Sequence, residues 1–156
     1  NKEGVLWFIE GVFYDLVKQF PLLHFEIAGS FSEEISALSK TKNIRLHGFV
    51  DSAKEFMTSH GIFVAPLLSG SGVKMKVIEA MSMGVPCVLS KHAAEGLDLP
   101  PIIPVCKTKE EFIEKLSLLL NDEQHCMDIG NAGRKFIQNN FSTALVSQKI
   151  SAVLKL

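Results

Sequence analysis

The sequence is short of several residue types, and each shortage excludes a class of protein. It has one Trp, one Tyr and three Cys in 156 residues, and Cys87, Cys106 and Cys126 show no paired spacing. An odd number of widely separated cysteines is typical of reduced thiols that serve as small apolar residues. The five histidines are dispersed along the chain, and their spacing predicts no metal site.

An excess of charge of one sign is also lacking, because 16 Lys and Arg stand against 17 Asp and Glu. A net charge of −1 gives no basic surface for nucleic acid, and the scattered lysines give no patch for anionic lipid. No apolar run is long enough to cross a bilayer, and residues 1–4 do not resemble a signal peptide. We therefore expect a cytoplasmic protein without a nucleic-acid partner.

The chain does have a large apolar fraction, 47% of its residues, in a length that suits one domain with a real core. Short strands alternate with helices through short loops, which predicts an α/β fold: an open parallel sheet with helices on both faces. No repeat or linker interrupts residues 1–156, so we predict a single domain. Strands are predicted at residues 22–28, 44–49, 62–67, 86–90 and 102–105, and helices at 4–20, 32–38, 51–59, 73–83, 108–120, 122–140 and 143–156.

The most informative segment is the glycine-rich turn 69–72, which lies between a predicted strand and the helix 73–83. Such a turn exposes backbone N–H groups and the positive end of the helix dipole, which suits a phosphate or diphosphate. Glu79 is the single carboxylate of this apolar helix, so we expect it to be buried and to need partners such as ribose hydroxyls. The alternative is a turn without a ligand, in which Glu79 pairs with Lys76 one helical turn earlier.

Other loops are expected beside this turn. Because the carboxyl ends of parallel strands share one edge of a sheet, ligands of such folds gather in a crevice outside that edge. The loops predicted to follow strands are 29–30, 48–50, 69–72 and 90–96.

Residues 70–88, GSGVKMKVIEAMSMGVPCV, resemble the donor-site signature of the retaining, GT-B fold glycosyltransferases of group 1 (the GT4-like family). Four other segments of the chain resemble segments of that family and occur in the family's order: residues 1–8, 46–50, 94–97 and 133–142. The resemblance implies a Rossmann-like C-terminal domain that binds the donor. It also implies that this domain's first strand, normally central in the sheet, and the N-terminal acceptor domain are missing from the chain. Such a fragment would be inactive alone.

The resemblance assigns the donor contacts position by position. Glu79 matches the glutamate that holds the donor ribose, and Ser71 stands where many members have a glutamate that contacts the sugar. Glu95 either touches the sugar or caps a short helix. Helix N-terminal amides with Lys74 or Lys76 would stabilise the leaving diphosphate without a metal. The remaining matches are Gly72, Val73 and Met75 near the diphosphate and sugar, and Gly48, Phe49 and Val50 in the base pocket.

For the whole protein, the resemblance implies transfer of a hexose from a UDP-, GDP- or ADP-sugar to a glycan or lipid-linked acceptor, as in polysaccharide biosynthesis. The catalytic residues would lie in the missing domain, which would also allow peripheral attachment at the inner face of the membrane. One alternative is the donor domain of a GT-B-type sugar-nucleotide epimerase. Another is a non-enzymatic, flavodoxin-like binding module, although a receiver module needs acidic residues where this chain has Gly29, Gly48 and Ser69.

Overall fold

Helices and strands alternate along the computed structural model, which describes residues 2–30, 33–38 and 41–141. The predicted helix 143–156 lies outside these residues. The strands are β1 (Phe25–Ile27), β2 (Ile44–Leu46), β3 (Phe63–Ala65), β4 (Cys87–Ser90) and β5 (Val105–Cys106). The helices are α1 (Lys2–Phe8), α2 (Tyr14–Gln19), α3 (Glu33–Ala37), α4 (Ala53–Thr58), α5 (Met75–Ser82), α6 (Lys109–Asn121) and α7 (Glu123–Phe141), with a π-helical turn, Ile9–Phe13, between α1 and α2.

Within the described residues the strands form two parallel sheets. β1 pairs with β2, with Phe25 opposite Ile44, and β4 pairs with β3 on one side and β5 on the other. The α/β class and the parallel pairing are therefore confirmed. The predicted single sheet is divided, because β1 and β3 do not pair with each other, and a cleft of about 1560 Å³ lies between them.

The N-terminal helical segment holds β1 in place. Phe8 is 1% exposed, and its ring centroid lies 5.1 Å from that of Phe25 on β1. Phe13 contacts the same ring at 5.5 Å, and Phe112 of α6 packs on Phe8 at 5.9 Å. Strand β4 is buried along its whole length, as a strand covered on both faces should be. No described helix is both long enough and apolar enough to cross a membrane.

Local chemistry moves two of the predicted element boundaries. The last strand is Val105–Cys106 instead of 102–105, because Pro100, Pro101 and Pro104 lack the N–H that a ladder needs. Helix α4 is capped by Ser52 and not by Asp51: Ser52 Oγ accepts a 3.1 Å hydrogen bond from the Glu55 N–H.

The predicted cap of α7 is confirmed. Asp122 Oδ1 accepts a 2.9 Å hydrogen bond from the His125 N–H, which satisfies one of the donors left free at the start of a helix.

Candidate functional site

The glycine-rich turn lies at the carboxyl end of β3 and leads directly into α5. Gly70 and Gly72 have φ angles of 105° and 75°, in the region that glycine adopts without steric cost. Lys74 precedes α5 with an extended backbone and no side-chain cap. The N–H groups of Met75 and Lys76 therefore lack intrahelical acceptors, whereas those of Val77 and Ile78 donate to the Lys74 carbonyl. Because Met75 and Lys76 are exposed, this helix end is open to an anion.

Lys74 belongs to the framework of the turn. Its Nζ donates to the carbonyl oxygens of Gly72 at 2.5 Å and Gly70 at 3.0 Å. The same Nζ lies 3.8 Å from Glu95 Oε2, and the Lys74 side chain is only 16% exposed. Lys74 therefore ties the loop after β3 to the loop after β4, which confirms that these two loops meet.

Glu79 and Lys76 form the local ion pair that was the alternative interpretation. Lys76 Nζ lies 2.6 Å from Glu79 Oε2, and the two side chains are 63% and 41% exposed. The expectation of a buried carboxylate is wrong, because α5 is amphipathic: it buries Val77, Ala80 and Met81 and leaves Glu79 at the margin. An ion pair this exposed contributes little to the stability of the fold, and the Glu79 carboxylate is accessible to a ligand.

The loop after β2 presents a large exposed ring. Phe49 is 89% exposed, so it is not the core residue that a Phe at a strand end usually is. Gly48 has a φ of 64°, and its carbonyl accepts a 2.6 Å hydrogen bond from the Gly29 N–H, so the loops after β1 and β2 meet. The aromatic face is therefore available for stacking.

The cleft between the two sheets brings many of the predicted site residues together. Phe49 and Val50 line one side, and the segment 73–77 lines the other. Gly48, Ser71, Gly72 and Glu95 adjoin these residues in the chain or through the contacts above. Glu79 instead lines a separate pocket of about 570 Å³ with Lys54, Thr58 and Arg134, two cations and a hydroxyl that no spacing in the sequence predicts.

The thiols are unsuited to nucleophilic chemistry. Burial raises the pKa of Cys87 to about 12 and, as the largest cause, that of Cys106 to about 11. Both thiols are buried and unpaired, as the sequence predicted for small apolar residues.

Sequence reasoning missed one polar cluster, formed by Glu26, His47 and His60. One ligand atom from each lies within 4.8 Å of the others. The three residues are far apart in the sequence and belong to different elements, so no spacing pattern could reveal them. They lie on the face of the β1–β2 sheet opposite Phe25.

A family model and several solved structures match the chain. The model described as "Glycosyl transferases group 1" matches residues 1–122. No curated protein sequence matches significantly. The C-terminal domain of the group 1 protein LpcC from Francisella tularensis is 18% identical with a TM-score of 0.75, over 91% of this chain and 81% of that one.

Two longer glycosyltransferase structures also match. HepE from Anabaena, in complex with UDP, is 17% identical with a TM-score of 0.72, over 85% of this chain and 41% of HepE. TarM from S. aureus, in a complex that includes UDP, is 18% identical with a TM-score of 0.80, over 97% of this chain and 33% of TarM. The chain thus spans less than half of either, and these similarities show a shared fold.

Proposed function

The chain belongs to the family of group 1 glycosyl transferases, whose model matches residues 1–122, and we propose from this premise that it binds the nucleotide-sugar donor of a hexosyltransferase. The observation that carries the proposal is that the exposed start of α5, which has no side-chain cap, and the exposed ring of Phe49 line one cleft. A diphosphate suits the first element and a nucleobase the second. The epimerase and flavodoxin-like alternatives have no comparable support.

Each candidate residue then has a role that its environment allows. The N–H groups of Gly72, Val73 and Met75 approach the diphosphate, and Lys76, which is exposed, adds a positive charge. Glu79 reaches the donor from the neighbouring pocket, which shares Met57 with the cleft, and exchanges its contact with Lys76 for contacts with the ribose hydroxyls. Lys74 holds the turn through its carbonyl contacts. The base rests on Gly48, Phe49 and Val50, while Ser71 and Glu95 lie toward the sugar.

The proposed reaction is transfer with retention of configuration to a glycan or lipid-linked acceptor. As the glycosidic bond breaks, negative charge develops on the nucleoside diphosphate, and preorganised N–H groups with Lys76 stabilise it without a metal. UDP is the first nucleotide to test, since HepE and TarM were both crystallised with it.

We further propose that the chain is one domain of a longer, two-domain protein and is inactive alone. The support is the cleft between β1 and β3, where neither three-residue strand pairs on its cleft side within the described residues. Parallel strands flank the opening, and one more strand would join them into a single sheet. The acceptor, the catalytic residues and any peripheral contact with the inner face of a membrane would belong to the other domain.

Calorimetric titration with UDP, GDP and ADP tests the donor site. We expect one of them to bind at a single site, and Glu79→Gln to weaken it at least tenfold, about 1.4 kcal/mol. Glu114→Gln is the matched control, because Glu114 also pairs with a neighbouring lysine, Lys115, at 2.8 Å but lies on α6. Equal affinity in both variants would reject the role of Glu79, and no binding by the folded chain would reject the proposal.

A further inference from the structure

The cluster of Glu26, His47 and His60 joins three elements. Glu26 is the central residue of β1, His47 follows the end of β2, and His60 follows the end of α4. His47 Nε2 lies 2.6 Å from Glu26 Oε2. The ring of Phe56 packs against both imidazoles, with centroids 5.1 Å from His47 and 4.5 Å from His60, and the two imidazole centroids are themselves 6.3 Å apart. The cluster is therefore held by packing as well as by polar contacts.

Hydrogen bonds fix the available nitrogen of His60. His60 Nδ1 contacts the Phe56 carbonyl oxygen, which only accepts, so Nδ1 carries the proton. In the neutral ring Nε2 then has a free lone pair. A histidine whose second nitrogen donates to a backbone carbonyl is the usual arrangement at a metal, because that bond orients the ring and raises its basicity.

Glu26 is poised as an anionic ligand. Its side chain is only 12% exposed, and its Oε2 lies 2.6 Å from His47 Nε2. Arg45 contacts Oε1 at 3.1 Å, so it orients the carboxylate and leaves Oε2 toward the histidines. Although the guanidinium charge opposes a second cation, it does not occupy the ligand oxygen.

We propose that Glu26, His47 and His60 form a binding site for a divalent cation of the zinc type. Two imidazoles and one carboxylate suit zinc, whereas Mg²⁺ and Ca²⁺ prefer oxygen ligands throughout. Bonds of about 2.1 Å in tetrahedral geometry separate ligand atoms by about 3.4 Å, and one ligand atom of each residue already lies within 4.8 Å of the others. On binding, His47 Nε2 releases its proton to solvent and Nδ1 takes one up, so that the neutral ring binds the ion through Nε2. Water takes the fourth position on the exposed side of His47.

The bound ion would join β1, β2 and α4. Because His47 is followed directly by Gly48, it would also fix the start of the loop 48–50. Glu26 and His60 line the same cleft as Phe49 and the segment 73–77, but no phosphate contact is required for zinc to bind them.

Titration of the chain with ZnCl₂ tests the site, in a Cys126→Ser background that removes the one partly exposed thiol. We expect one Zn²⁺ per chain, at least tenfold weaker binding in His60→Ala and in Glu26→Gln, and unchanged binding in His125→Ala. MgCl₂ in excess should not displace the zinc. Stoichiometric binding that is equally tight in His60→Ala, or no saturable binding, would overturn the proposal.

The NMR resonances of the imidazole nitrogens test the site in a chain that keeps all three proposed ligands. Addition of Zn²⁺ should shift the Nε2 signals of His47 and His60 and leave those of His92 and His125 in place. Shifts confined to His92 or His125 would place the ion elsewhere and refute the assignment.

Discussion

At the residue scale, two lysines two positions apart have opposite environments. Lys74 is 16% exposed and donates to two carbonyls of the turn, whereas Lys76 is 63% exposed and pairs only with Glu79 among the contacts described. The stability of the fold should therefore depend on Lys74, and the affinity for the ligand should depend on Lys76.

Replacement of each lysine by methionine separates these roles. Lys74→Met should lower the free energy of unfolding by roughly 1–3 kcal/mol, because charge-assisted bonds to the turn are lost. Lys76→Met should change it by less than about 0.5 kcal/mol, as expected of an exposed pair, while weakening nucleotide binding. Urea denaturation and calorimetry measure the two effects. Equal destabilisation by both substitutions would contradict the assignment.

Residue identities could be predicted from sequence only where a motif carries them. The turn 69–72 and Glu79 were found because their residues adjoin one another in the chain. The exposure of Glu79 could not be predicted, because the apolar residues beside it in the sequence do not show which face of the helix packs against the rest of the fold. Glu26, His47 and His60 were missed for the same reason: tertiary packing alone brings them together.

At the element scale, α7 packs on α5 and on the turn that follows it through small residues. A Cβ added to Gly130 would lie 2.2 Å from the carbonyl oxygen of Gly84, whereas one added to Gly133 would meet Met81 Cβ at 3.4 Å, an ordinary contact. Arg134 adds a 2.7 Å hydrogen bond from its guanidinium to the Met83 carbonyl. The backbone of α7 therefore lies close to the turn after α5 at Gly130.

Alanine at the two glycines should act in opposite directions. Gly130→Ala should destabilise by about 1–3 kcal/mol, because the clash is with backbone and the helix must move. Gly133→Ala should be neutral or stabilising by up to about 1 kcal/mol, since alanine favours the helix. Thermal unfolding of both variants measures these changes in stability. If Gly130→Ala were as stable as Gly133→Ala, the close approach of α7 would be disproved.

Element order and type were predictable because hydrophobic periodicity and the Gly and Pro punctuation are local properties. The boundaries of the helices and strands were less predictable. The predicted strand 22–28 forms a ladder only at Phe25–Ile27, because pairing ends where the partner strand ends. The π-helical turn Ile9–Phe13 was not predicted, because it does not show in the helical spacing of the apolar residues.

At the scale of the whole molecule, the cleft between β1 and β3 is the main departure from one continuous sheet. Its walls include apolar residues such as Phe25, Ile27, Phe63 and Val64 together with strand backbone. Unpaired strand edges carry free N–H and C=O groups and favour association with another strand.

If a strand from outside residues 1–156 fills the cleft, as proposed above, a form of the protein that includes this strand should be more stable. A strand placed between β1 and β3 would bury apolar side chains at about 1.5–3 kcal/mol each, and we expect the Tm to rise by roughly 5 °C or more. Calorimetric melting of the two forms at equal concentration measures this. An unchanged Tm would contradict the proposal that a strand fills the cleft.

The most direct test of the central claim is to locate a bound nucleoside diphosphate on the chain by ¹H–¹⁵N NMR. We predict that UDP shifts the backbone amides of 70–77 and 48–50, on the two sides of one cleft, and leaves those of the α6 helix unchanged. If a saturating nucleotide shifted neither segment, or shifted only residues around Lys54 and Arg134, this chain would not carry its donor site at the start of α5.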